Sequence, residues 1–175
     1  MSLEPILSDI QRAIDAGAYY AALSTIVTLP ELCGRCEQID IFSVQGTNRT
    51  SAVYERFADT YLSGWSLGLT GLDLFSLRCG LSHRGQTAQK NSDLKYIFHP
   101  PVYRGPNRHG ARGFSTGVQH VIINLQIFCS EIADAVRKWE VANINNDVAQ
   151  RNLKNILQVR ELSPGSAITG GICLS

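Results

Sequence analysis

The stretch TGLDLFSLRCGLSHRG, residues 70–85, reads as a helix from about Thr70 to Ser82. At roughly 100° per residue, Leu74, Leu77 and Leu81 fall in one narrow stripe and give this helix an apolar face. Arg78 lies only about 40° from Leu74, at the border of that stripe. A guanidinium there is costly without an ionic partner or a wet cavity, so its placement is informative. On a continued helix His83 falls about 180° from Leu74, too far round to share a face with Arg78. Two geometries bring the pair together. Either the helix ends near Ser82 and curls toward Gly85, or two copies of the chain meet about a two-fold axis.

The neighbouring segments also carry helical spacing. Leu3, Ile6, Leu7, Ile10 and Ile14 make one stripe, which Gly17 ends. Ala21, Ala22, Leu23, Ile26 and Val27 start a second run. Pro30 interrupts it, because proline lacks the N–H and clashes with the preceding turn. Thr28 and Glu31 have capping-box spacing, so the pattern predicts a kinked or restarted helix running to about Cys36. A third helix is expected from about Asn48 to Leu62, with Val53, Phe57 and Tyr61 on one side and Gly64 as its stop. Leu125, Phe128, Cys129, Ile132, Val136 and Trp139 form another stripe. Asn145, Asn146 and Asp147 are a capping cluster that opens a last helix with Leu153, Ile156 and Leu157.

Between Gly85 and Gly117 the periodicity is lost, and Pro100, Pro101 and Pro106 lie among glycines. The β-branched and aromatic runs Lys95–His99 and Val118–Asn124 are candidates for an antiparallel ribbon, or the second run begins the next helix. The expected fold is mainly α: a helical bundle with a short β-ribbon or irregular basic insertion at about residues 85–120. It forms one domain over residues 1–162, followed by a loose Gly/Ser-rich tail at 163–175.

Charge singles out the same insertion. The chain of 175 residues has a net charge of only +1. Residues 1–77 hold 4 Lys/Arg against 9 Asp/Glu, whereas residues 78–112 hold 7 Lys/Arg against Asp93 alone. A basic middle in a neutral chain points to an anionic partner, with a solvated polar loop as the plain alternative.

Histidine titrates near physiological pH and suits general acid–base work. Arginine offers a fixed fork of donors for phosphate oxygens. Together, beside a basic segment and without a carboxylate cluster, they suit metal-free cleavage of a phosphodiester. Arg78-x4-His83 at the end of a bundle helix resembles the R-x4–6-H motif of HEPN domains. Leu29-Pro30-Glu31-Leu32-Cys33-Gly34, followed by Leu77-Arg78-Cys79, is similar to small bacterial HEPN-like proteins. The resemblance covers roughly residues 3–85. It implies a helical, usually dimeric protein, and an endoribonuclease that needs no metal or other cofactor and leaves 2′,3′-cyclic phosphates.

In that reading His83 moves the proton of the 2′-hydroxyl or of the leaving oxygen, Arg78 stabilises the phosphorane, and Ser82 orients the phosphate. Arg84, Arg104, Arg108 and Arg112 then contact the RNA backbone. Tyr96, Phe98 and Tyr103, interleaved with them, stack bases or simply anchor the loop. The resemblance further implies a toxin or defence effector, with an antitoxin protein as partner. Cys79 departs from the pattern, because the residue after the arginine is usually polar. That departure favours an alternative: a non-catalytic HEPN-like module that binds RNA, a nucleotide or a protein. A purely structural reading pairs Arg78 with an acid such as Asp73 and lets His83 cap its helix. A third class is a helical assembly protein, with the stripes Leu125–Trp139 and Leu3–Ile14 as oligomer contacts.

Other signals argue for absences. Cys33 and Cys36 form a CxxC, but no second pair follows at zinc spacing, so they read as small apolar packers. No GxGxxG or GxxxxGK[ST] loop occurs. No apolar stretch is long enough to span a membrane, the N-terminus does not read as a signal peptide, and Cys173 is misplaced for prenylation. A cytoplasmic location and reduced thiols are therefore expected.

Overall fold

The computed structural model describes residues 2–38, 50–85, 94–101, 108–115 and 117–156. The tail expected at 163–175 lies outside them. The described residues form seven helices and a three-stranded sheet: α1 (Glu4–Asp15), α2 (Tyr19–Ile26), α3 (Leu29–Cys36), α4 (Thr50–Tyr61), α5 (Gly71–Arg84), β1 (Leu94–His99), β2 (Arg112–Ser115), β3 (Val118–Asn124), α6 (Leu125–Ala142) and α7 (Asp147–Leu153). The protein is thus mainly helical with a small mixed sheet. None of the described helices is long and apolar enough to cross a membrane.

α6 is the centre of the core. Leu125, Phe128, Cys129, Ile132, Val136 and Trp139 repeat at helical spacing, and all are buried. Around them pack α1, α2, α3, α4 and β3. Trp139 is fully enclosed, so its indole N–H requires a partner; it donates to Glu37 Oε1 at 2.6 Å. Asn152, also buried, donates to the carbonyls of Cys36 at 3.0 Å and Gln38 at 2.8 Å. These bonds fasten the end of α3 to α6 and α7.

Proline explains the break between α2 and α3. Pro30 stands in the first turn of α3, where its missing N–H leaves no intrahelical bond unmade. The expected capping box does not form there. The Thr28 hydroxyl donates back to the Thr25 carbonyl at 2.7 Å, and Glu31 is free for tertiary contacts. The box forms instead on α5. Thr70 Oγ1 accepts from the Asp73 N–H at 3.2 Å, and Asp73 Oδ2 accepts from the Thr70 N–H at 2.8 Å.

The sheet corrects the ribbon expectation. β1 and β3 pair in parallel, Tyr96 opposite Val121 and Phe98 opposite Ile123. The antiparallel partner of β3 is β2, a four-residue strand too short and too glycine-broken to stand out in the sequence. With β2 occupying one edge of β3, β1 takes the other, and the connection over residues 100–117 is long enough for the crossover a parallel pair requires. Tyr96, Val121 and Ile123 are buried, so this segment completes the core and is no appendage. The second run is a strand to its end. Asn124 then caps α6, its side chain accepting from the Ile127 N–H at 3.1 Å.

α4 and α5 touch through Gly71, where an added Cβ would lie 2.3 Å from the Glu55 Cα. Neither backbone can yield without parting the helices. Gly71→Ala is expected to lower the unfolding free energy by about 1–3 kcal/mol in urea titration. Gly113→Ala, with nothing within 4 Å of its added Cβ, stays within about 0.5 kcal/mol of wild type.

Candidate functional site

α5 runs two residues past Ser82 and closes on Gly85, whose φ of +61° is the left-handed cap that glycine supplies without strain. The early end and curl that would join Arg78 to His83 therefore do not occur. Five residues of regular helix turn the two side chains about 140° apart. Ser82 and His83 are exposed.

Arg78 is already engaged. Its Nη2 lies 3.3 Å from Glu31 Oε2, and both side chains are about three-quarters buried, with 26% and 21% exposure. Glu31 also faces Arg35, Nε to Oε1 at 3.8 Å, one turn on along α3. Arg35 in turn donates to Thr50 Oγ1 at 3.0 Å. Tyr54 closes the cluster from α4. Its ring is fully buried, and its hydroxyl donates to the Val27 carbonyl at 2.7 Å. Burial, and then the Glu31 carboxylate, push this hydroxyl far above its ordinary range, with Arg78 opposing. The arginine at the border of the apolar stripe thus bridges α3 and α5 beside a buried phenol. Asp73, the acid nearest in sequence, is occupied by the α5 cap and by the Tyr96 hydroxyl, which donates to Asp73 Oδ1 at 3.2 Å.

The other candidates are dispersed. Arg108 and Arg112 are exposed near the β2 edge, and Arg112 donates to the Leu67 carbonyl at 3.4 Å. Tyr96 and Phe98 line the inner side of β1; Phe98 meets Phe128 edge-on at 5.3 Å. Arg104, Tyr103 and the Arg84 side chain lie outside the described residues.

A second cluster has no signature in local spacing. His109, its side chain 6% exposed, accepts the Asn124 N–H through Nδ1 at 3.1 Å. That bond assigns the proton to Nε2, which faces Glu131 Oε2 at 3.4 Å. Glu131 also accepts from Ser66 Oγ at 2.7 Å and from the Trp65 indole N–H. The basic nitrogen of the imidazole is consumed by backbone. The group is therefore a strut between the α4–α5 loop, β3 and α6, and is not built as a general base.

The cysteines behave as packing residues. Cys33, Cys36 and Cys129 are free and buried. Burial, followed by Glu37, raises the Cys36 thiol to about 11. Burial alone raises Cys129 to about 12. Cys33 is also pushed well up, first by burial and then by Cys36 and the carboxylates of Glu140 and Glu37. Among the described residues no cluster of His, Cys, Asp and Glu has the makings of a metal site.

No family model, curated protein or solved structure matches this chain.

Raised thiols hold little thiolate at pH 8, and thiolate is the reactive form. In a Cys173→Ser background an aromatic disulfide reagent should modify half-buried Cys79 first. Cys33, Cys36 and Cys129 should react only with global unfolding. Prompt labelling of Cys33 or Cys36 in the folded protein would contradict the packing assignment.

Proposed function

We propose that this chain is a HEPN-like module that binds RNA in the cytoplasm without cleaving it. The observation that carries the reading is the engagement of Arg78 by Glu31 at 3.3 Å while His83 faces solvent about 140° away round the helix. Cleavage of a phosphodiester needs its acid–base group and its charge stabiliser to converge on one phosphate. One copy of this chain presents them on different faces. Cys79, in place of the usual polar residue, fits the same conclusion.

RNA is favoured as the anionic partner by the charge map. Residues 78–112 carry a net +6 in sequence; of their described cations Arg78 is paired with Glu31, and Lys95, Arg108 and Arg112 are exposed. Phosphate contacts by such residues supply affinity without sequence preference and weaken as salt rises.

A second reading is a homodimeric, metal-independent endoribonuclease, a toxin or defence effector held by an antitoxin protein. One observation favours it. Leu72 and His83 are exposed, and Phe75, Ser76 and Cys79 are half-buried, along one stripe of α5 opposite Leu74, Leu77 and Leu81. A second copy covering this stripe would bring two His83 side chains together.

Filter binding with labelled single-stranded RNA in EDTA separates the readings. Binding is expected with a slope of log affinity against log salt of roughly −2, for three cations at about 0.7 each. Lys95→Gln and Arg108→Gln should each flatten that slope by about 0.7. The RNA should stay intact. Fragments with 2′,3′-cyclic ends that vanish in His83→Ala would transfer the assignment to the nuclease.

A further inference from the structure

A cleft of about 410 Å³ opens at the C-terminal end of α5 between α2 and β1. Its walls are mainly rings: Tyr19 and Tyr20 from α2, Tyr96, Phe98 and His99 from β1, with Pro100 at the rim. Leu81 and Gly85 bring α5 to its floor. The volume lies within the range of small-ligand sites, roughly 300–1,000 Å³.

Both walls of the cleft are fixed in place. Tyr20, 58% exposed, is held by its hydroxyl, which donates to the Leu81 carbonyl at 3.2 Å. That carbonyl belongs to the last turn of α5 and also receives the Gly85 N–H at 3.3 Å. The lip of the cleft is thus pinned to the helix end. The opposite wall is fixed as well: Tyr96 is buried, and its hydroxyl is tied to Asp73 across α5. A rigid pair of aromatic walls can receive a flat ring without first being ordered, which lowers the entropic cost of binding.

The RNA-binding reading selects the kind of ring. His83, exposed in the last turn of α5, stands two residues before the cleft residue Gly85. Aromatic walls match the recognition of single-stranded nucleic acid, in which unpaired bases stack on side-chain rings.

We propose that this cleft receives one unpaired base of a single-stranded RNA, stacked against Tyr20. The proposal rests on the RNA-binding reading above and deepens it by naming the site and the strand form. The C-terminal end of α5 would then serve as a base-binding site instead of a cleavage site.

The test compares wild type, Tyr20→Ala and Tyr20→Phe against a fluorescein-labelled oligoadenylate of about 10 nucleotides and its abasic counterpart. Tyr20 is exposed, so circular dichroism should show all three proteins folded. Wild type should bind the oligoadenylate at least about tenfold tighter than the abasic strand. Tyr20→Ala should erase that difference while leaving abasic binding and its salt slope unchanged, and Tyr20→Phe, which keeps the ring but loses the bond to Leu81, should retain part of it. Equal binding of both strands by wild type overturns the cleft proposal and leaves RNA binding standing. No binding of either strand overturns both. Adenosine monophosphate binding as tightly as the oligomer would assign the cleft to a free nucleotide. Self-association lost in Tyr20→Ala, with RNA affinity unchanged, would assign it to a second copy of the chain. Either result defeats the proposal.

Discussion

Glu31 stands between two guanidiniums, and the behaviour of α5 follows from it. Its carboxylate faces Arg35 on its own helix and Arg78 across the α3–α5 contact. A charged side chain at the edge of an apolar stripe must find a partner or stay wet. Here Arg78 has found one, beside the buried Tyr54, and its two functions compete. A guanidinium neutralised by a carboxylate at 3.3 Å is a poor stabiliser of a phosphorane and a good brace between helices.

The remaining polar contacts show the same economy of place. Trp139 and Asn143 share Glu37, Asn152 closes on the end of α3, and Glu131 gathers Ser66, Trp65 and His109. Each places a hydrogen-bonding group where the core would otherwise strand a polar atom. Each joins segments far apart in sequence. The sheet is part of this scheme, because Tyr96 belongs at once to the core, to the α5 cap through Asp73, and to the wall of the aromatic cleft.

Much of the helical content was legible in the sequence. The stripes of α1, α5 and α6, the restart at Pro30 and the Asn146 cap all depend on near neighbours, and local spacing carries such information. The sheet was legible only as two strand-like runs. Direction and pairing are set by β2, whose four residues carry no alternation of burial, and by the length of the crossover. The candidate site fared similarly. Arg78 was conspicuous from its place on the helical wheel, but its partner was not, since Asp73 is nearer in sequence and Glu31 had a local capping role open to it. His109 and Glu131 meet only through the tertiary fold. The aromatic cleft drew on Tyr96 and Phe98, whose spacing was visible, and on Tyr19 and Tyr20, which sit in a helix whose apolar run hid them.

Whether Arg78 is a brace or a catalytic group is decided most directly by a double-mutant cycle on unfolding free energy. Glu31→Gln, Arg78→Met and the double variant are measured by denaturant titration. If Arg78 is a brace, each single change destabilises the protein and the double change costs less than their sum, with a coupling of about 1 kcal/mol. Strictly additive effects, with Arg78→Met as stable as wild type, would free the guanidinium for other chemistry and contradict this account.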